Sequence, residues 1–307
     1  MRTLCFGEAI VDLICPRPVA SLAEADLFTP HLGGVSANIA VAAARAGAAV
    51  SLAGGAGRDA WGAWLHDRLA QENVGLEWFS LVEGHATSLA FVTVDEVGEP
   101  TYELHADTPF GAQGGSAATR GVLEQRLLEA VESTDALCFG SNMLAGRAEA
   151  ALTMAARERA LELGHPVVLD PNIRLGRWDS NAGRAGAAAG ACVPGAFLVK
   201  CNELEARLMT GEDAPEAAAA SLLAAGAQHV IVTCAQRGAI LRSGQLNRDV
   251  RGTRDQVRST VGAGDVFLGV VLARLGVTDF YPPALAAALP DAAAEAARAC
   301  RRWGALD

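Results

Sequence analysis

The residues best suited to chemistry are those at 262–265, Gly-Ala-Gly-Asp, which open an apolar helical run reading GAGDVFLGVVLARL. Glycine costs backbone entropy, so two of them here point to a turn that something must approach closely. A helix start exposes unpaired N–H groups and the positive end of the helix dipole, a cradle for phosphate oxygens. Gly262, Ala263 and Gly264 leave that backbone open, and Asp265 stands where it can take a proton from an attacking hydroxyl. Positioning, charge neutralisation and a base are what phosphoryl transfer to an alcohol requires. A helix start with an acidic cap uses the same residues for stability alone. No GxxxxGK[ST] run occurs, which excludes a P-loop enzyme.

A second set lies in HLGGVSANIAVAAARAG, 31–47. Gly33 and Gly34 allow close backbone approach before a helix, and Asn38 in its first turn both donates and accepts, as sugar hydroxyls require. A glycine-rich turn with a satisfied Asn is the structural alternative. A third set, AAVSLAGGAGRDAWG, spaces Gly55, Gly57 and Ala60 as GxGxxA between a strand and a helix. Glu77 follows about twenty residues on, as a dinucleotide's ribose-binding acid would. Arg58, Asp59 and Gly62 offer a competing pattern at the same turn.

Together, GGVSANIAVAAARAG at 33–47 and GAGDVFLG at 262–269 resemble the two signature regions of the ribokinase-like, or PfkB, family of carbohydrate kinases. The likeness runs through nearly the whole chain. GEAIVDLI is similar to the family's first strand, whose Asp, here Asp12, bonds sugar hydroxyls. LDPNIRLGRW resembles its DxNxR element as Asp170, Asn172 and Arg174. KCNELEARLMTG carries its NxxE pattern as Asn202 and Glu205, and VTCAQRGA its ATP-supporting turn as Thr233 and Gly238. GGAGRDAWG at 54–62 resembles the family's VGxDxxG element through Arg58, Asp59 and Gly62.

The resemblance implies an α/β three-layer sandwich: a central, mostly parallel sheet of about nine strands with helices on both faces, plus a small β-sheet lid. It implies ATP and Mg2+, with Asp265 as the base on a hydroxymethyl group and the N–H groups of 262–265 around the transferring phosphoryl. Asp12, Gly33, Gly34, Asn38 and Arg174 would hold the sugar. Asn202, Thr233, Gly238 and Gly264 would hold the nucleotide, with Glu205 reaching Mg2+ through water. Three positions depart from the family pattern. Ser259 replaces the usual Asp six residues before Asp265, where with Val261 it would help hold a K+ ion. Ala235 replaces a glycine, and Glu103 a frequent Arg. The expected acceptor is fructose or a related ketose. The alternatives are 2-keto-3-deoxygluconate, whose carboxylate Arg174 could pair, ribose or a nucleoside. A sugar-binding regulatory protein without catalysis is the non-enzymatic alternative.

The elements that must position these residues follow from hydrophobic periodicity. Strand-like apolar runs alternate with Ala-rich helical patterns, the arrangement of a parallel sheet covered on both faces. The run 87–105 reads instead as a hairpin, TSLAFVTVDEVGEPTYELH. The expected organisation is one kinase domain over 1–307, with lid strands at about 10–30 and 87–110. Residues 108–121 read as a connection. With 25 basic against 35 acidic residues and a net charge of −10, no nucleic-acid or acidic-membrane partner is expected. Seven cysteines form no CxxC pair, and Cys5, Cys138 and Cys234 read as buried thiols. No clean eighteen-residue apolar span and no signal-peptide pattern occur, so the expected location is the cytoplasm. Partners beyond sugar and ATP reduce to a second copy docked through the lid.

Overall fold

The computed structural model describes residues 1–105, 117–252 and 257–306. The chain begins with β1 (Thr3–Phe6), which enters the middle of the main sheet, and β2 (Ile10–Ile14), which leaves it. β3 (Thr29–Gly33) pairs antiparallel with β2 and delivers the chain to α1 (Val35–Arg45). Gly47, at φ 91°, ends that helix in the left-handed conformation that favours glycine. β4 (Val50–Gly57), α2 (Ala60–Gln71) and β5 (Phe79–Val82) extend the main sheet, and β6 (Leu89–Val94) with β7 (Pro100–His105) forms the expected hairpin.

Strand–helix alternation then resumes. α3 (Ala117–Glu132), β8 (Ala136–Gly140), α4 (Arg147–Glu162), β9 (Val167–Asp170), α5 (Ala182–Gly190) and β10 (Leu198–Asn202) come first. After them come α6 (Glu203–Thr210), α7 (Pro215–Ala224), β11 (His229–Thr233), β12 (Ala239–Ser243), β13 (Asn247–Val250), α8 (Ala263–Val277) and α9 (Pro283–Ala299).

The nine-stranded sheet has the order β13-β12-β11-β10-β9-β8-β1-β4-β5, parallel except for the β12 and β13 edge. Side chains alternate across it: Cys5 joins the core under α1, α8 and α9, while Leu4 and Phe6 join the core under α3 to α7. Burial on both faces is why these strands read as continuous apolar runs. The second sheet, β3-β2-β6-β7, stands apart and packs Ile14, Ala90, Val92 and Val94 against Val261. Its strands fall in the spans where a lid was expected, about 10–30 and 87–110, except that β3 runs on to Gly33; residues 106–110 fall outside the described residues.

One expectation needs correction, and one rival reading is set aside. The connection read at 108–121 is helical from Ala117, where α3 begins; 108–116 lie outside the described residues. The dinucleotide pattern is closed: a Cβ at Gly57 would run into the backbone of 85–87, and one at Gly62 into the Gly57 carbonyl. These glycines seat one chain segment on another and leave no room for a pyrophosphate, while Glu77 accepts from the Ser51 hydroxyl at 2.9 Å. All three cysteines read as buried thiols are buried. Among the described residues, no helix is long and apolar enough to cross a membrane.

Candidate active site

In a parallel sheet the carboxyl ends of the strands meet the loops that carry ligands. Here those ends bring together Asp12 and Gly33 from the lid, Asn38 from α1, the 170–174 segment after β9, Asn202 after β10, and the first turn of α8. Gly262 caps α8 at φ 67°, a left-handed geometry that an L side chain resists, and a Cβ there would collide with Ala305.

Asp265 sits in that first turn, 3 % exposed. Its two oxygens are held from opposite sides: Asn38 Nδ2 donates to Oδ2 at 2.9 Å, and Asn172 Nδ2 to Oδ1 at 3.2 Å. Burial pushes its carboxyl up to about 6, reinforced by Asp170 and opposed by the Asn38 bond, Lys200 and Arg174. A carboxylate held this way is a base poised close to neutrality. Ala263 N–H is drawn back to the Thr260 carbonyl at 3.3 Å. Among the described residues the N–H groups of Gly264 and Asp265 meet no protein acceptor, so they form the open part of the expected cradle.

Asp12, on β2, faces the same space. Gly33 lies opposite with no room for a side chain, because a Cβ there would fall within the Asp12 carboxylate. Gly34 caps α1 at φ 94°, its own missing Cβ 2.5 Å from the Glu8 carbonyl. Burial lifts the Asp12 carboxyl to about 7, with Arg174 pulling it down and Asp265 pushing it up. The Arg174 guanidinium lies 5.1 Å from the ring centre of Tyr102 on β7, which links the catalytic face to the lid.

The third group lies further along the sheet. Asn202 and Thr233 are register partners on β10 and β11. Asn202 and Glu205 form a capping box at the start of α6: Asn202 Oδ1 accepts from Glu205 N–H at 2.9 Å, and Glu205 Oε2 from Asn202 N–H at 2.8 Å. Glu205 Oε1 accepts the Ile173 N–H at 3.0 Å. Both carboxylate oxygens are therefore engaged by the backbone. The Thr233 hydroxyl reaches back to the Cys201 carbonyl at 3.4 Å. Gly238, at φ 102°, is wedged against residues 250–252 and supports the β11–β12 turn.

The description "pfkB family carbohydrate kinase" matches residues 2–302. The chain belongs to the pfkB family of carbohydrate kinases. The kinase is 29 % identical over 271 residues to Fructokinase-2 of Solanum lycopersicum, spanning 88 % of this chain and 80 % of that protein. Its fold superposes on fructokinase from Vibrio cholerae O395, solved with fructose, ADP and a calcium ion. The TM-score is 0.83 at 28 % identity, covering 99 % of this chain and 94 % of that one. Fructokinase from Xylella fastidiosa with bound ATP gives 0.81 at 26 %, over 99 % and 94 %.

The kinase also brings in residues that the sequence reading did not assign. Lys200 is 3 % exposed in the middle of β10, and its Nζ donates to Asp170 Oδ2 at 3.0 Å. Burial opposes its charge, but Asp170, Glu205 and Asp265 outweigh burial and raise its pKa. The Nζ lies 2.8 Å from where a Gly264 Cβ would be, so a glycine there admits the ammonium against the helix start. A lysine inside the apolar strand AFLVKCN was the available signal. Ser259 is fully buried, with its hydroxyl accepting the Val261 N–H at 3.1 Å. Glu103 is exposed and pairs with His105 at 3.2 Å.

Proposed function

We propose that this kinase transfers the γ-phosphoryl group of ATP to a hydroxymethyl group of fructose. The observation that carries the reading is Asp265, a buried carboxylate held by Asn38 and Asn172 at the first turn of α8. The fructokinase relatives and the fructose bound in the Vibrio cholerae neighbour support the choice of sugar.

Asp12 accepts sugar hydroxyls while Gly33 and Gly34 let the ring approach the backbone, and Asn38 both orients Asp265 and offers its unpaired Oδ1. Asp265 takes the hydroxyl proton as that oxygen bonds to the γ-phosphorus. The bond from phosphorus to the β,γ-bridging oxygen breaks, and ADP leaves with the electron pair. The N–H groups of Gly264 and Asp265, and the Lys200 ammonium behind them, offset charge on the phosphoryl oxygens. Asn202, Thr233 and Gly238 shape the nucleotide end. The lid excludes water, which limits hydrolysis of ATP.

Magnesium fits a phosphate-held ion better than a protein cage. Both Glu205 oxygens already accept backbone N–H groups, which suits contact through water, and Asp170 Oδ1 is the buried carboxylate oxygen left unpaired nearby. When bound, Mg2+ neutralises the nucleotide's phosphates. Ser259 and Val261 were expected at a monovalent-cation site. With the Ser259 hydroxyl turned onto Val261 N–H, we assign Ser259 to shaping the turn, although Vibrio cholerae fructokinase has a form bound to potassium.

A second reading has its own observation. Arg174, stacked on Tyr102 and beside Asp12, suits the carboxylate of 2-keto-3-deoxygluconate. ADP release from Mg·ATP across fructose, 2-keto-3-deoxygluconate, ribose, other hexoses and nucleosides separates the two. Fructose standing above the rest supports the first reading; the sugar acid standing above it replaces that reading. The chain is read as one cytoplasmic kinase unit with an inserted lid. Its exposed lid-edge strands β3 and β7 support a homodimer, to be checked by sedimentation.

A further inference from the structure

The lid touches the catalytic turn through its tip as well as through its sugar-facing side. The β6–β7 turn is stiffened by Asp95, whose Oδ1 accepts from Val97 N–H at 3.0 Å and from Glu99 N–H at 2.9 Å. From that turn the Gly98 carbonyl accepts the Thr260 N–H at 2.8 Å, and Glu99 Oε2 accepts the Thr260 hydroxyl at 3.4 Å. Thr260 in turn gives its own carbonyl to Ala263 N–H, the first residue of α8. One residue therefore joins the lid tip to the helix start that carries Asp265.

The segment around Thr260 has no slack. Arg258 and Ser259 both donate to the Cys300 carbonyl, at 2.8 and 3.2 Å. Val261 packs among Ile14, Ala90, Val92 and Val94 of the lid. Gly98, at φ 90°, fits so closely that a Cβ would stand 2.6 Å from Val257 Cγ1. A displacement of the tip is thus passed to Thr260 and from there to the N–H groups of the first turn.

We propose that the Gly98–Glu99 tip and Thr260 are positioning residues for phosphoryl transfer. They form a clasp that sets the 262–265 turn when the lid lies over the sugar, so that the phosphoryl cradle is complete only with the lid in place. None of the three need touch sugar or nucleotide. The inference rests on the kinase reading above.

The test is Gly98→Ala, which places a methyl against Val257 and strains a backbone held at φ 90°, so that the tip must shift. Turnover is measured at saturating ATP with the acceptor that wild type uses best, and sugar affinity by calorimetry without nucleotide. The clasp predicts that Gly98→Ala lowers kcat about tenfold and leaves sugar Kd within twofold. Thr260→Val keeps the side-chain shape but removes the hydroxyl, and serves if Gly98→Ala does not fold; it lowers kcat two- to fivefold with sugar Kd unchanged. Unchanged kcat in both variants, or a parallel loss of sugar affinity, overturns the clasp. A wild type that transfers no phosphoryl group overturns the kinase reading instead, so the two failures are told apart by the control.

Discussion

Asn38 Nδ2 lies 2.9 Å from Asp265 Oδ2, joining the first turn of α1 to the first turn of α8 across 227 positions of chain. The bond fixes the orientation of a buried carboxylate and at the same time favours its charged form. Two helices that start at glycine turns, one near each end of the sequence, thus build one base.

This base has a pH signature. The proposed base acts as a carboxylate, and burial raises the Asp265 pKa to about 6 in the unliganded protein, so kcat/KM for the sugar is lost as pH falls through 6. Asn38→Ala removes a bond that favours the charged form and moves the acid limb upward. The check is kcat/KM for the sugar against pH between 5 and 8 with ATP saturating; a flat profile down to pH 5 contradicts the assignment.

In the proposed reading Asp12 meets the sugar and not the nucleotide. Asp12→Ala raises the sugar KM at least tenfold, by removing a buried acceptor that hydroxyls require. The ATP KM stays within twofold. Steady-state kinetics with each substrate varied in turn decides the matter, and equal effects on both would place Asp12 wrongly.

The Lys200–Asp170 pair is buried on both sides, with side chains 4 % and 0 % exposed. Lys200→Met leaves the Asp170 carboxylate without its partner and costs roughly 3–5 kcal/mol. Lys200→Met with Asp170→Leu costs less than the single change, since no orphaned charge remains. Urea unfolding of the two variants measures the difference; a loss below about 1 kcal/mol in the single variant contradicts a buried charge pair.

Ala235 lies in the turn between β11 and β12, and its backbone is held at φ 46°. A left-handed alanine costs roughly 1–2 kcal/mol, against less than about 1 kcal/mol for the extra unfolded-state freedom of glycine. Ala235→Gly therefore stabilises the fold by about 1 kcal/mol in urea unfolding, with unchanged kcat. Destabilisation would mean that the turn gains more from the methyl than the strain removes.

Much of this was readable in the chain because the physics is local. Strand runs such as TLCF and HVIVT are apolar throughout because both faces are buried, and Gly262 and Gly264 announce a turn that tolerates no side chain. Asp265 and Asn38 could be singled out by residue type alone, but their hydrogen bond could not, since it depends on how β1, α1 and α8 pack. Lys200 escaped because its charge is defined by Asp170, thirty positions away. Gly57 shows the limit of spacing alone: GxGxxA says that the backbone is approached closely, but not by what, and here it is residues 85–87. The Gly98–Thr260 contact joins a hairpin tip to a distant loop and left no local mark in either.

The most direct test of the account is ADP release by Asp265→Asn with Mg·ATP and fructose, beside wild type and with fructose binding measured on both. The account predicts a fall in kcat of roughly 10²–10⁴-fold with the fold and sugar affinity retained, as expected for loss of a general base. Turnover within a few-fold of wild type would contradict it, and would remove Asp265 from the chemistry.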